Sequence, residues 1–275
     1  MKPAPFDYVR ADSLAEALEV LAAEQGEARI LAGGQSLLPM LSMRLARPRV
    51  VVDIGRIPGL DVLEAAKDGL VAPAGVRQAR LLAHPGLGRS HPLLAAALPW
   101  VGHAQTRARG TVCGSVAHAD PTAELPLCLL ALGGSVRLAS KRGKRRVEAR
   151  DFFTGLMSTA RREDEMIEAV TFPAAKRDAG YAFREFGRRH GDFAIVSVAA
   201  IVTAAATEIS VGGVDDVPAR RVWPRLDGSA LDDALNALAW DLDARDDIHA
   251  DQRLRRDLVR SLGREAIAEA SRCLD

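Results

Sequence analysis

The chain has 275 residues, of which 48% are hydrophobic and 27% charged, a balance typical of a globular protein of one to three domains. A formal net charge of +1 and an aromatic content of only 4% argue against a nucleic-acid surface built on charge or on base stacking. No apolar run reaches the roughly 20 residues of a transmembrane helix, and the N-terminal stretch lacks the apolar core of a secretory signal.

Cysteine and histidine usage limits the possible metal and disulfide sites. Cys113, Cys128 and Cys273 are an odd number without CxxC spacing, so we expect no disulfide framework and a cytoplasmic protein. An iron–sulfur cluster usually takes four thiolates, so this chain alone is expected to hold none. The histidines show neither HxxH nor HxxxH spacing, and we predict no metal site.

The first 55 residues predict a compact β-loop-α-β unit. Residues 13–24 repeat leucine and alanine at helical spacing, and Ser13 followed by Glu16 predicts a capping box at the start of this helix. The strand ARIL and two glycines follow. Pro39 is expected to open a short second helix that Pro48 ends, before the buried strand RVVVDI.

The central part of the chain predicts strands around a group of helices. Two short strands are expected on either side of a Lys67-Asp68-Gly69 turn, followed by helices near residues 77–83 and 92–102 and an irregular stretch over 103–126. A hairpin with a basic tip, Lys141 to Arg146, and the alternating strand EMIEAVTFP come next. The tip is expected to be a solvated turn, with an acidic partner surface as the alternative.

Pro173 and the following AAKRDAG mark the expected domain boundary. Beyond it, YAFREF, FAIVSVAAIV and TEISVGGV are predicted strands, and two amphipathic helices are predicted near residues 230–242 and 251–270. Strands followed by helices indicate an α+β domain.

The stretch ILAGGQSLLP has the composition of an anion-binding turn. Gly33 and Gly34 allow backbone amides to approach an anion, Ser36 adds a hydroxyl donor, and the helix expected at Pro39 adds a partial positive charge. These features suit a diphosphate, although neither GxxxxGK[ST] nor GxGxxG is present. For this stretch taken alone, a plain strand–helix turn is the favoured interpretation.

A second stretch, RGTVCGSVAHADPTAELP, repeats this donor-rich character at Thr111, Gly114 and Ser115. Asp120 and Glu124 follow, where carboxylates could accept hydrogen bonds from sugar hydroxyls. Together the two stretches suggest a dinucleotide whose diphosphate is bound by amides rather than by lysine or arginine. In the alternative interpretation, Asp120 caps a helix and Glu124 lies in its first turn.

A third stretch, REFGRRHGDFAIVSVAA, places a tight turn at Gly191 and Asp192 before an apolar strand. Phe193 follows the turn directly, and the pattern alone favours a core side chain over a cofactor contact at this position.

The three stretches, in this order, closely resemble the FAD-binding medium subunit of molybdenum hydroxylases, the family of the carbon monoxide dehydrogenase medium subunit and the flavin segment of xanthine dehydrogenase. The resemblance rests on AGGQSLLPMLSMRLARPRVVVDI, TRARGTVCGSVAHADPTAELP and RRHGDFAIVSVAA and extends over nearly the full length. It implies an α+β fold: a two-part FAD-binding domain of the PCMH or vanillyl-alcohol-oxidase type (residues 1–55 and 56–173), then a smaller α+β domain (178–275).

The resemblance also implies which residues bind FAD, while no catalytic residue of the chain's own is expected. The first diphosphate loop would consist of Ala32, Gly33, Gly34, Gln35, Ser36 and Leu37, and the second of Thr111, Cys113, Gly114 and Ser115. Asp120 and Glu124 would lie near the ribityl–diphosphate part, the backbone of Ile167 near the flavin ring, and Phe193 near the isoalloxazine. Cys113 replaces the family's usual glycine, so its thiol is either tolerated at a negative φ or perturbs the amides; the FAD is expected to be non-covalent.

An electron-transfer role is the function that the resemblance implies. A large subunit would carry the molybdopterin, a small subunit would carry two [2Fe-2S] clusters, and the complex would be a dimer of heterotrimers. The chain's FAD would then pass electrons to an external acceptor. A self-contained flavin oxidoreductase and a non-redox assembly protein that has lost FAD remain alternatives, and Cys113 is the feature that favours the last.

Overall fold

The computed structural model describes residues 2–67 and 69–274, so Asp68 of the predicted turn lies outside the described residues. The chain begins with β1 (Asp7–Arg10), α1 (Leu14–Glu24), β2 (Ala28–Leu31), α2 (Leu37–Ser42) and β3 (Val50–Asp53). The three strands form a parallel sheet in the order β1-β3-β2, here called the first sheet. The predicted β-loop-α-β unit is confirmed. β1 was not predicted, because its residues are mostly exposed and show no apolar alternation.

The local signals in this unit are partly confirmed. The Ser13 hydroxyl accepts the Glu16 amide at 3.1 Å, and the Glu16 carboxylate accepts the Asp12 amide at 2.7 Å, which caps α1 as predicted. The prediction for α2 was wrong at both ends. Ser36 precedes the helix, Pro39 is its third residue, and it ends at Ser42. Proline is tolerated there because amides of the first turn have no intrahelical partner.

The central part of the chain forms a five-stranded antiparallel sheet covered by short helices. Its elements are β4 (Glu64–Ala66), β5 (Gly69–Pro73), α3 (Gln78–Leu82), α4 (Leu87–Ser90), α5 (Pro92–Ala97), α6 (Ala104–Arg109), α7 (Val112–His118), α8 (Glu124–Ala131), β6 (Ser135–Ser140), β7 (Gly143–Glu148), α9 (Ala149–Phe152), β8 (Phe153–Gly155), β9 (Ser158–Thr159) and β10 (Met166–Phe172). The strand order β4-β5-β10-β6-β7 defines the second sheet, and β8 and β9 form a separate pair.

Two predictions for this part were wrong. The stretch 103–126 is not irregular, since it contains α6, α7 and the start of α8. These helices are too short to show a helical hydrophobic period in the sequence. β10 does not alternate between apolar and polar faces, because it is the central strand and is buried on both.

The basic hairpin tip is largely neutralised within the chain. Arg142 pairs with Asp164 at 2.8 Å, and Lys144 pairs with Glu168 at 2.6 Å. Arg145 makes two hydrogen bonds to the buried Glu165 carboxylate. A carboxylate already in place for each of these cations favours a structural turn over an acidic partner surface.

The last part of the chain is an antiparallel sheet backed by two helices. Its elements are β11 (Ala179–Phe186), β12 (Val196–Thr203), β13 (Ala206–Gly212), β14 (Ala219–Pro224), α10 (Gly228–Asp241) and α11 (Gln252–Arg272). The strands lie in the order β11-β12-β13-β14, here called the third sheet. The predicted strands and helices are confirmed, and the polar, mostly exposed β14 was missed.

Three apolar clusters hold these layers together. One lies around α1 and the first sheet, and one lies between the third sheet and helices α10 and α11. The largest surrounds α5, α7 and α8 and also takes in Phe183 and Ala199 from the third sheet. One face of β11 and β12 therefore packs against the helices of the central part. No helix among the described residues has the length and apolar character needed to cross a membrane.

Candidate functional site

The first glycine loop, residues 32–37, leaves the carboxyl end of β2. Parallel strands present their ligand-binding loops at this edge. Gly34 has a φ of +73°, which lets the chain turn so that the Gly34 carbonyl accepts the Leu38 amide at 3.1 Å. Among the described residues, no hydrogen bond uses the amides of residues 33–37. Five adjacent amides without partners leave a run of backbone donors available to an anion.

The two donor-rich stretches of the sequence meet in space at Gly33. A Cβ on Gly33 would lie 2.6 Å from the Arg109 carbonyl oxygen, 2.8 Å from the Gly110 Cα and 2.9 Å from the Thr111 nitrogen. Arg77 joins the same two segments, because its guanidinium donates to the carbonyls of Arg109 and, at 3.5 Å, of Ala32. Stretches about eighty positions apart in the sequence thus form one surface.

The second motif, residues 111–115, is the start of a helix rather than a loop. Thr111 is the N-cap of α7, and its hydroxyl accepts the Gly114 amide at 3.0 Å, while its carbonyl accepts the Ser115 amide at 3.2 Å. These two amides are therefore engaged within the chain. The Thr111 and Cys113 amides have no partner among the described residues and remain available as donors.

Cys113 lies inside α7, so its backbone is helical with a negative φ. Its side chain is buried in the largest apolar cluster, and the thiol donates to the Ala72 carbonyl at 3.2 Å. Burial raises the pKa of this thiol to about 12. The thiol thus faces the core and leaves the amide surface unperturbed.

Asp120 lies between α7 and α8, and Glu124 begins α8. The Asp120 carboxylate accepts the amide (2.9 Å) and the hydroxyl (2.6 Å) of Thr122 and so closes a turn. The expectation that Asp120 caps a helix was wrong, since α8 has Ala123 as its N-cap and Glu124 as its first residue. Glu124 is only 7% exposed, and burial raises the pKa of its carboxyl to about 7.

Ile167 and Phe193 lie in contrasting environments. Ile167 is buried in β10 opposite Leu138 and packs in the same cluster as α7. Phe193 is 73% exposed, so its interpretation as a core residue was wrong. The turn before Phe193 packs against the segment leading into α6, where a Cβ on Gly191 would lie 3.0 Å from the Gly102 carbonyl oxygen.

Several polar residues that the fold brings to this region were not predicted. Buried side-chain atoms without a hydrogen-bond partner among the described residues include Gln78 Oε1, Glu185 Oε2, Asp192 Oδ2 and Ser197 Oγ. Gln78 lies beneath the second motif, since a Cβ on Gly110 would be 2.8 Å from its Oε1. The other three lie in the third sheet or in the turn before Phe193. Buried polar atoms without partners fit a polar cofactor between the central helices and the third sheet.

Residues 4–175 match the family model described as FAD binding domain in molybdopterin dehydrogenase, and residues 181–270 match that of the CO dehydrogenase flavoprotein C-terminal domain. The nicotine 6-hydroxylase medium subunit of Paenarthrobacter nicotinovorans is 39% identical, over 98% of this chain and 99% of the relative.

Solved structures share the whole architecture. Quinoline 2-oxidoreductase from Pseudomonas putida 86 contains a chain of 33% identity that superposes with a TM-score of 0.92, covering 99% of both chains. Carbon monoxide dehydrogenase from Hydrogenophaga pseudoflava, in a form that lacks the Mo-pyranopterin moiety of the molybdenum cofactor, superposes with a TM-score of 0.93 at 28% identity, covering 99% of this chain and 100% of that chain.

Proposed function

Because the chain belongs to the FAD-binding medium subunits of molybdenum hydroxylases, we propose that it is the electron-transfer subunit of such a complex. In this proposal a large subunit oxidises the substrate at its molybdopterin, and a small subunit relays the electrons through two [2Fe-2S] clusters. The FAD of this chain receives them and passes them to an external acceptor. The assembly is a dimer of such heterotrimers.

The observation that carries the FAD site is the surface formed by the glycine loop and the second motif. The amides of residues 33–37, with those of Thr111 and Cys113, supply donors to the diphosphate, and Ser36 and Ser115 add hydroxyls. Charge-assisted hydrogen bonds contribute roughly 1.5–3 kcal/mol each, so four or five suffice without an ion pair to a lysine. Arg77 supports this surface by linking the Ala32 and Arg109 carbonyls.

The remaining predicted residues would surround the rest of the cofactor. Glu124, beside Asp120, would hold the ribityl part, the Ile167 backbone would contact the flavin ring, and Phe193, which is exposed, would supply an aromatic face to the isoalloxazine. When bound, FAD supplies the redox chemistry by accepting and releasing electrons. The chain binds and orients the cofactor and excludes water from it. We also propose the division into residues 1–55, 56–173 and 178–275, which is supported by the first, second and third sheets, since the strands of each lie within one of these ranges.

Purification of the chain alone and together with candidate large and small subunits tests this function. We expect a yellow chain that releases FAD on denaturation and copurifies with molybdenum- and iron-containing subunits. Substrate oxidation by the isolated chain would instead support a self-contained flavin oxidoreductase. A colourless chain that is indifferent to added FAD would support an assembly role and contradict the proposal.

Substitution of the two motif glycines tests the placement of the FAD. Gly34→Val is strained by its positive φ, and a side chain on Gly114 would meet the Thr111 hydroxyl at 2.6 Å. Both variants are expected to lose FAD while the third sheet and its helices stay folded, as measured by flavin content and circular dichroism. Stoichiometric flavin in either variant would show that the diphosphate binds elsewhere.

A further inference from the structure

Helix α11 carries a buried arginine in its first turn. Arg255 is the fourth residue of this helix and is only 3% exposed. A cation in the first turn is opposed by the helix dipole, and burial of a charge costs free energy unless the group is paired and hydrogen-bonded. The place of Arg255 in the fold therefore depends on the contacts that its guanidinium makes.

The guanidinium of Arg255 joins three separate backbone segments. Its Nη1 donates to the Ile195 carbonyl at 2.6 Å and to the Gly213 carbonyl at 2.7 Å. Its Nε donates to the Arg245 carbonyl at 3.0 Å, and its Nη2 pairs with the Asp247 carboxylate in the loop before α11. The planar fork of an arginine suits such simultaneous contacts, which the single ammonium of a lysine cannot reproduce.

The Ile195 carbonyl lies at the base of the turn that carries Phe193. The Ile195 amide donates to the Phe186 carbonyl at 2.8 Å, which closes residues 187–194 into a turn between β11 and β12. Phe193 is 73% exposed, so packing of its own ring does little to fix its orientation. That orientation depends instead on the backbone of the turn, whose base is held by Phe186 on one side and by Arg255 on the other.

The Gly213 carbonyl leads to the turn that contains Asp120. The Gly213 amide donates to the Pro121 carbonyl at 2.8 Å, and Pro121 lies inside the turn that the Asp120 carboxylate closes with the Thr122 amide. Gly213 has a φ of +83°, and a Cβ there would lie 2.7 Å from the Ile195 carbonyl oxygen. Glycine at this position therefore lets two carbonyls converge on one nitrogen of the guanidinium.

We propose that Arg255 is a positioning residue for FAD, because its guanidinium holds the Phe193 turn and the Asp120 turn in one fixed arrangement. This inference rests on the proposed function, in which Phe193 contacts the isoalloxazine and Asp120 lies near the ribityl–diphosphate part. Two buried carbonyls that lose their shared donor are costly to keep in place. Without the guanidinium, the carbonyls of Ile195 and Gly213 move apart, and the two turns shift with them.

The flavin absorbance spectrum and the FAD dissociation constant of Arg255→Met test this role. Methionine occupies much of the same space but donates no hydrogen bond. At a temperature well below unfolding, we expect shifted flavin bands and about tenfold weaker FAD binding, the effect of roughly one lost hydrogen bond. Val259→Ala is the matched control, because Val259 lies one turn further along α11 and is fully buried. This control should lose thermal stability but keep the wild-type spectrum and affinity.

Gly213→Ala tests the same contact with Arg255 left in place, so the result does not depend on whether Arg255→Met folds. The added methyl group would press on the Ile195 carbonyl oxygen and should shift the flavin bands as well. Gly59→Ala is its matched control. Gly59 has a φ of +82° and thus the same backbone strain, but a Cβ there would have no atom within 4 Å. The flavin spectrum of this control should stay that of the wild type.

A double variant tests whether Arg255 acts through Phe193. In the Phe193→Ala background, Arg255→Met should shift the flavin bands less than it does in the wild type, because the contact that it misplaces is already gone. An equal shift in both backgrounds would overturn this route.

The outcomes separate this inference from the proposed function. Wild-type flavin bands and affinity in folded Arg255→Met or in folded Gly213→Ala would show that Arg255 only stabilises the fold, and the proposed function would stand. A wild-type chain that binds no FAD would contradict the proposed function, and the positioning role would fail with it.

Discussion

Replacing Gly33 with alanine should separate the two segments that we propose bind the diphosphate. The φ of Gly33 lies outside the left-handed region, so the backbone itself admits alanine. The added methyl group would meet only backbone atoms, at 2.6 Å from the Arg109 oxygen, 2.8 Å from the Gly110 Cα and 2.9 Å from the Thr111 nitrogen. Backbone atoms cannot rotate away as a side chain does.

The size of the effect follows from these distances. Non-bonded heavy atoms are most stable at roughly 3.5 Å or more, so the glycine loop and the second motif must move apart by nearly 1 Å. Overpacking of this kind costs about 1–3 kcal/mol of folding free energy. Loss of one charge-assisted hydrogen bond, roughly 1.5–3 kcal/mol, would weaken FAD binding by about 10-fold to 150-fold.

Two assays separate stability from binding for Gly33→Ala. Thermal unfolding without FAD reports the packing cost, and titration with FAD at a temperature well below the transition reports the affinity. Gly88→Ala is the matched control, because a Cβ at Gly88 would have no atom within 4 Å and its φ is also outside the left-handed region. Wild-type affinity in Gly33→Ala, or an equal loss in Gly88→Ala, would refute the reasoning.

Three further substitutions or modifications test other parts of the site. Arg77→Gln should lower the FAD affinity about tenfold in the same titration, because the link between the Ala32 and Arg109 carbonyls is lost. An unchanged affinity would show that Arg77 has only a structural role. In the folded chain, a thiol reagent at pH 8 should label the exposed Cys273 and not the buried Cys113, as measured by mass spectrometry of the peptides. Rapid labelling of Cys113 would place its thiol at the surface. Phe193→Ala should alter the flavin absorbance spectrum of the FAD-loaded chain with little loss of stability. The control Ile248→Ala, at a position that is 93% exposed, should change neither the spectrum nor the stability. A wild-type spectrum in Phe193→Ala would place the flavin elsewhere.

The sequence predicted the elements whose signals are local. Ser13 and Glu16 identified the start of α1, and the β-branched run before Asp53 identified β3. The donor-rich composition near Gly33 and Thr111 singled out two segments that the fold brings together, although it indicated a loop where the second segment is the capped start of α7. Short helices carry too few residues to display a hydrophobic period, so α6 and α7 were missed.

Features that depend on distant contacts were beyond sequence reasoning. Arg77 joins the carbonyls of Ala32 and Arg109, which are 45 and 32 positions away in the sequence. Nothing in the sequence around Arg77 indicates this role. Glu185 did leave a signal, because it interrupts the apolar alternation of Tyr181 and Phe183, but its burial depends on how β11 packs against the central helices. The exposure of Phe193 likewise depends on how the third sheet packs against the central helices.

The FAD content of the purified wild-type chain tests the central claim most directly. Flavin would be released by acid, quantified against the chain by absorbance, and measured again after incubation of the chain with FAD and gel filtration. We predict stoichiometric FAD that is fully released, since the buried Cys113 thiol offers no covalent attachment. A folded chain that contains no flavin and retains none after incubation would contradict the account.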